Sequence, residues 1–298
     1  MARVTVGVPV YNGAPMLREC LDCLLSQTYR DFVIVIADNA STDETPEICE
    51  EYAAKDSRVR VVCHAQNRGP LANFGYLLDQ ADTEFFMWRA DDDLSDENFI
   101  SELVSVLDAH PEARLAIPRI VTEHGDQVRT VESSFTTVDG SDFADRLVKR
   151  LHNYHVSGYY GLWKTEYLQK TVERVWAAYP EPYAGDHLTM LSAFLDDVAI
   201  GSNDTLYIQR TYSPPKGDGL RGKRSLRDRI ALYERLLPIF YDCYEEEVKL
   251  RGLPEDQERR ILSEKVRYTR EKLRASRARI LRLKLKLLLK SMNPVGGR

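Results

Sequence analysis

The sequence has too few cysteines, and in the wrong number, for a disulfide scaffold. Five occur in 298 residues (Cys20, Cys23, Cys49, Cys63, Cys243). An odd count in apolar surroundings reads as reduced core thiols. Cys20-x-x-Cys23 has the spacing of a redox or zinc half-site, but no second Cys/His pair stands at ligand spacing and the pair falls mid-helix. Core packing is the expectation. No apolar run approaches the ~20 residues that span a bilayer. No signal peptide is expected, because the strand-like Arg3–Val10 passes at once into turn residues and a helix. Internal repeats and low-complexity segments are absent. Acid is scarce in one place only: from Lys265 to Arg298 there are twelve Lys/Arg and a single acid, Glu271, in a chain of net charge −5. An acidic body with a basic tail argues for a surface anchor and against a nucleic-acid-binding body.

What is present is a regular alternation over the first 120 residues. Strand-like segments at Arg3–Val10, Phe32–Ala37, Arg58–Cys63, Glu84–Trp88 and Leu115–Val121 are separated by helical spacing at Ala14–Gln27, Ser41–Lys55, Pro70–Ala81 and Asp96–His110. Phe32–Ala37 is apolar throughout, as a parallel strand covered on both faces should be. The alternation predicts βαβ units, an α/β fold and a mostly parallel sheet. The middle is less regular, with helices expected at Phe143–His152, Thr165–Ala178 and Asp186–Leu195 and a strand at Leu206–Tyr212. Residues 216–224 are rich in glycine and basic side chains and read as a mobile loop. Two long helices, Leu226–Leu250 and Pro254–Leu289, are expected to form a hairpin hinged at Arg251–Pro254.

The chemistry concentrates at strand ends. Asp91-Asp92-Asp93 follows the apolar Phe85-Phe86-Met87-Trp88. Adjacent carboxylates at the edge of a core repel one another and call for a hard divalent cation. Three further segments end strands of the same sheet: Val8-Pro9-Val10-Tyr11-Asn12-Gly13, Asp38-Asn39-Ala40-Ser41-Thr42-Asp43 and Asn67-Arg68-Gly69. Carboxyl ends of strands in one open sheet converge on one ligand.

In this order the four segments resemble family 2 glycosyltransferases of the GT-A fold, with specific motifs over about residues 3–120 and a looser likeness over 150–212. The resemblance implies an inverting, metal-dependent enzyme (Mn²⁺ or Mg²⁺) that takes a nucleoside-diphosphate sugar, UDP favoured. It implies residues 1–215 as the transferase domain, with the nucleotide-sugar half at about 1–120 and the acceptor half at 121–215, followed by the loop 216–224 and a helical extension 225–298. By resemblance, Asp92 is the metal ligand, supported by Asp93, and Asp91 contacts the ribose. Asp38 receives the base N–H, Asn39 adjoins it, Pro9, Tyr11 and Asn12 line the base pocket, and Arg68 contacts base or phosphate. The bland alternatives are a helix-capping Asp38 and a solvated Arg68.

An inverting transferase needs a general base for the acceptor hydroxyl. The family carries it as an acid opening a helix, and Tyr183-Ala184-Gly185-Asp186-His187 places Asp186 there, although Asp186 also suits a plain N-cap. His155 and His187 are candidates around the acceptor. Arg210, Lys216 and Arg221 are candidates for a lid over the diphosphate, or for an ordinary solvated loop. The leucines of 265–290 interleave with Arg and Lys, which fits peripheral contact with an anionic membrane at its cytoplasmic face, a dimer contact, or core packing. The expected partners are the sugar donor and a glycan or lipid-linked acceptor in surface polysaccharide assembly, with no nucleic acid. The remaining alternatives are a nucleotidyltransferase, against which the glycine-poor Tyr11-Asn12-Gly13-Ala14-Pro15 argues, and an inactive glycan-binding scaffold.

Overall fold

A strand covered on both faces has no polar side to show; the first, second and fourth strands obey this, while the third, at the sheet edge, exposes Arg60 and Cys63. The structure is a computed structural model that describes residues 2–124, 127–132, 142–210 and 225–292. In chain order its first half comprises β1 (Val4–Val10), α1 (Ala14–Leu25), β2 (Phe32–Asp38), α2 (Thr45–Lys55), β3 (Val59–Cys63), α3 (Pro70–Asp79), β4 (Phe85–Trp88), β5 (Leu94–Ser95), α4 (Phe99–Ala109), β6 (Leu115–His124) and β7 (Gln127–Val131). There follow α5 (Phe143–Asn153), a 3₁₀ turn (Val156–Tyr160), β8 (Leu162–Lys164), α6 (Thr165–Ala178), α7 (Gly185–Leu195) and β9 (Ala199–Arg210). The chain ends in α8 (Leu226–Lys249), α9 (Glu255–Ser263), α10 (Lys265–Lys272) and α11 (Arg277–Met292).

The sheet runs β3-β2-β1-β4-β8-β6-β9-β5, with β7 paired to β6. Its first four strands are parallel. Beyond β4 it is mixed: β8 is antiparallel to β4 and β6, β5 to β9 and β7 to β6, while β6 and β9 run parallel. The β6–β9 register shifts between Ile117 and Arg119, at Pro118, which has no N–H for the ladder. Alternate side chains of β2 enter two cores. Ile34 and Ile36 pack with Leu17, Leu21, Ile48 and Leu103, from the helices of one face. Val35 and Ala37 pack with Leu77, Val175, Leu191 and Phe240 on the other.

That second core is continuous from α3 to α11, so the C-terminal helices are built into the α/β body. Glu247 of α8, 4% exposed, accepts from Arg174 of α6 at 2.9 Å, from Arg251 at 2.6 Å and from Ser192 of α7. Three donors surround one buried carboxylate, which offsets its desolvation.

The expected helix Pro254–Leu289 is instead three helices. Arg274 adopts φ 52°, which ends the regular turn after α10. Ser276 Oγ accepts from the Arg279 amide at 3.1 Å and opens the next helix. The kink lets Tyr268, Leu273, Ala275 and Ile280 all reach the core, which one straight helix would not. The expected hinge holds, with Gly252 at φ 55°. One cysteine departs from expectation: Cys63, the last residue of β3, is exposed, whereas Cys20, Cys49 and Cys243 are buried.

Candidate functional site

The parallel register brings the strand ends level, Val10 beside Asp38 and Asp38 beside Cys63. The loops that follow are tied to one another. Asn12, at φ 51°, receives the Thr42 amide on Oδ1 at 2.8 Å, and its own amide donates to Ser41 Oγ at 2.8 Å. Asp38 is 2% exposed and accepts from the amide and hydroxyl of Ser41. Asn39 is a hub: its amide group donates to Asn67 Oδ1 and Gly69 O, and its Oδ1 accepts the Arg68 amide at 2.8 Å. Asn39 therefore shapes the third loop. Pro9 is buried in β1 opposite Ala37. Tyr11 stands 39% exposed at the rim, and the exposed Arg68 lies over the Tyr76 ring at 5.9 Å.

The acidic run meets the first loop at Gly13. A Cβ built on Gly13 would lie 2.2 Å from Asp91 Oδ2, so only glycine leaves the Asp91 carboxylate its place. Asp93 turns inward and is 3% exposed. Its oxygens accept Tyr207 Oη at 2.7 Å and the Arg210 amide at 2.8 Å. Burial, then the charge of Asp92, push its carboxyl up to about 6. Arg210 also donates from Nε to Asp92 O at 2.5 Å and pairs with Glu19. Its Nη2 is buried and makes no hydrogen bond among the described residues. Beneath lies Arg89, fully buried between the Phe99 and Tyr207 rings, 5.0 Å from each.

Asp186 opens α7 after Ala184 at φ 67° and accepts the His187 amide at 2.8 Å. It is half-buried, and burial pushes its carboxyl up to about 6. Tyr160 connects it to the acidic run. Its ring stacks on Tyr207 at 5.4 Å and 4°. Burial, then the charges of Asp93, Asp186, Asp92 and Asp91, raise its hydroxyl well above the ordinary range. All four carboxylates thus act on one phenol.

Beyond Asp186, Tyr154 Oη contacts His187 Nδ1 at 2.6 Å and Tyr268 Oη at 3.0 Å, and Tyr268 donates to the His187 carbonyl at 2.7 Å. His155 caps the 3₁₀ turn, accepting the Ser157 amide on Nδ1 at 3.2 Å. Lys216 and Arg221 lie outside the described residues.

Sequence reasoning did not single out Arg89, Tyr207, Tyr268 or Lys272. Arg89 had a signal: an arginine two residues before an acidic run, inside a strand pattern. The tyrosines had none, because their partners are distant in the chain: Asp93 is 114 positions from Tyr207, and Tyr154 and His187 are 114 and 81 from Tyr268.

Among the described residues no three His, Cys, Asp or Glu form a metal cage. The residues still fit a Mg²⁺- or Mn²⁺-type ion of the kind held by one or two carboxylates and completed by substrate phosphates. The donors are hard oxygens, and Arg210 Nη2 offers a buried donor beside them.

The sequence profile described as "Glycosyl transferase family 2" matches residues 5–172, more than half of the chain. The chain belongs to glycosyl transferase family 2. Glycosyltransferase GlyG of Streptococcus pneumoniae is 38% identical over 103 residues, 34% of this chain and 33% of the relative. Putative glycosyltransferase EpsH of Bacillus subtilis is 28% identical over 177 residues, 59% of this chain and 50% of the relative. The chain thus spans about a third to a half of the length of these curated relatives. Among solved structures, S. aureus TarS 1-349 in complex with UDP-GlcNAc superimposes with a TM-score of 0.69 at 21% identity, covering 91% of this chain and 73% of TarS 1-349. Mannosyltransferase PcManGT from Pyrobaculum calidifontis, in complex with GDP-Man and Mn2+, gives 0.52 at 18%, covering 97% and 80%. Both likenesses show a common fold, and the family 2 match spans the strand-end loops and the acidic run.

Proposed function

We propose that this family 2 member transfers a sugar from a nucleoside-diphosphate sugar, UDP favoured, to an acceptor hydroxyl with inversion. One observation carries the reading: the charges of Asp186, a carboxyl raised to about 6, and of the Asp91–Asp93 run all reach the same buried tyrosine, Tyr160. One centre serves the acceptor and the other the leaving diphosphate.

In this reading Tyr11 covers the base and Asp38 receives its N–H, with Ser41 fixing the Asp38 carboxylate. Asn12 and Asn39 hold the loops around that pocket, Pro9 floors it, and Arg68 reaches the base or a phosphate. Asp91 contacts the ribose. Asp92 holds the metal, which when bound supplies positive charge against the growing charge of the leaving group. Asp93, whose two oxygens serve Tyr207 and the Arg210 backbone, supports the site by anchoring β9. Arg210 presents Nη2 to the diphosphate. Asp186 takes the acceptor proton as the hydroxyl oxygen attacks the anomeric carbon opposite the departing diphosphate. A base with pKa near the working pH is ionised yet still basic enough to accept that proton. The buried tyrosines around Asp186 exclude water that would otherwise hydrolyse the donor.

The acceptor is read as a glycan or lipid-linked sugar at a membrane surface. No helix among the described residues is long and apolar enough to cross a membrane. α11 instead has two faces. Ile280, Leu283 and Leu287 pack on the core, while Leu281 and Leu285 are 59% and 51% exposed among Arg277, Arg282 and Lys286. Such a face suits the interface of an anionic bilayer. Flotation with anionic vesicles, lost with neutral ones and with Leu281→Glu/Leu285→Glu, tests this part.

The site itself is tested by titrating UDP and GDP with Mn²⁺ or Mg²⁺ by calorimetry. The expected result is metal-dependent UDP binding that Asp92→Asn weakens at least tenfold. Equal affinity in EDTA, or in Asp92→Asn, would remove Asp92 and the metal from the account.

A further inference from the structure

A second group of side chains gathers next to Asp186. His187, the following residue, contacts Tyr154 Oη through Nδ1 at 2.6 Å and accepts Tyr268 Oη on its carbonyl at 2.7 Å. This group is basic.

Lys272, at the end of α10, holds Nζ 3.9 Å from the Tyr154 ring centroid and 5.9 Å from that of Tyr268. The one acid whose charge reaches it, Glu271, is engaged by His152 and Arg267. Burial pushes the Lys272 amine down to about 8. His155 is held at about 4 by burial and then by Arg129 and Lys272. His187 is held at about 3 by burial and then by Lys272, His155 and Arg274. Nδ1 of His155 accepts a backbone amide, so its ring proton sits on Nε2 as a donor. Arg129 and Arg274, whose charges reach His155 and His187 respectively, are exposed. Near neutral pH the two imidazoles are therefore neutral and Lys272 carries the charge; an anion placed among them would favour protonation of the rings and of the amine.

We propose that Lys272, His155 and His187, with Arg129 and Arg274 at the rim, form an anion subsite for the acceptor, taking a phosphate or carboxylate carried close to the reacting hydroxyl. This rests on the reading of Asp186 as the acceptor base. The site would then be bipolar: the Asp91–Asp93 run would hold a divalent cation on the donor side, while the Lys272 ammonium, the rim arginines and the neutral imidazoles orient the acceptor's own charge. Two general forces favour Lys272 without any ligand, the α10 C-terminal dipole and the Tyr154 ring, so the test must separate packing from binding.

The full chain is first saturated with UDP and Mg²⁺, which closes the donor site to phosphate probes. It is then titrated with sn-glycerol 3-phosphate, glycerate and glycerol, with affinity read by calorimetry and the imidazole resonances of His155 and His187 read by NMR. The expected result is millimolar binding of glycerol 3-phosphate, glycerate or both, none of glycerol, and an upward shift in the titration of both histidines. Lys272→Met should weaken binding about tenfold and Lys272→Arg should restore it, with melting temperature reporting that each variant is folded. Which probe binds better tells a phosphate acceptor from a carboxylate one. Anionic probes binding no better than glycerol, or binding folded Lys272→Met as well as the parent, would overturn the subsite and leave Lys272 a packing role. Failure to bind UDP, and GDP in its place, in the first step would instead sink the donor-site reading, and the subsite with it.

Discussion

Replacing Asp186 by Asn separates a general base from a plain helix cap by the sign of one energy. Asn keeps an oxygen for the His187 amide, 2.8 Å from Oδ1 in the parent, and removes the ionisable group. Folding raises this carboxyl from 3.8 to about 6 through burial. At about 1.4 kcal/mol per pKa unit, the ionised carboxylate costs the fold roughly 3 kcal/mol. A carboxyl raised in the folded state holds its proton more tightly there. Below about pH 4 both states are protonated and the cost is nil. It grows as pH rises through about 6 and is complete above that. Asp186→Asn should therefore be neutral near pH 4 and should raise stability at pH 8 by ~1–3 kcal/mol, the lower end reflecting the carboxylate's partial exposure. That corresponds to roughly 2–4 °C of melting temperature per kcal/mol. Turnover should fall ~10²–10⁴-fold. An Asp that only caps α7 would give the opposite sign, a loss of about 1 kcal/mol. Thermal melts at both pH values, beside initial rates at pH 7.5, are the assay. A variant that is less stable than the parent at pH 8, or that turns over normally, would refute the reasoning.

Other expectations follow from single contacts. Gly13→Ala puts a Cβ 2.2 Å from Asp91 Oδ2; the carboxylate must move, and UDP affinity should fall at least tenfold with a stability loss of ~1–3 kcal/mol, both readable by calorimetry and melting. Tyr207→Phe removes a 2.7 Å hydrogen bond to a buried carboxylate, worth ~1.5–3 kcal/mol to its charged form. The Asp93 carboxyl should rise further above about 6, seen as a higher-pH carboxyl titration by NMR. The pH profile of kcat/KM in the parent should lose activity as pH falls through about 6, where Asp186 takes up its proton, and Asp186→Asn should lack that limb in its residual rate.

How far the sequence foretold this molecule depended on the reach of each signal. Runs such as Phe32–Asp38 carry their own evidence, because a strand buried on both faces is apolar throughout, and the loops at their ends were placed with them. β5 and β8 have two and three residues, too short to alternate, so the antiparallel half of the sheet was not visible. Leucine periodicity continued unbroken through Arg274, where a single left-handed residue turns the chain. Asp186 was placed by local pattern, but its connection to the acidic run through Tyr160 and Tyr207 is tertiary. Asp93 and Arg210 were both foreseen at the site; that one grips the other's backbone required the fold. The fused core of α6, α7 and α8 around Glu247 was likewise hidden, since each partner alone reads as an ordinary surface charge.

The most direct test of the central claim is the release of nucleoside diphosphate from a panel of nucleotide sugars by the parent and Asp186→Asn proteins, with Mn²⁺ or Mg²⁺ and with EDTA. The account predicts that one donor, most readily a UDP-sugar, is consumed by the parent in metal and spared in EDTA, while Asp186→Asn binds that donor and barely turns it over. Release from no donor, or equal release by Asp186→Asn, would contradict it.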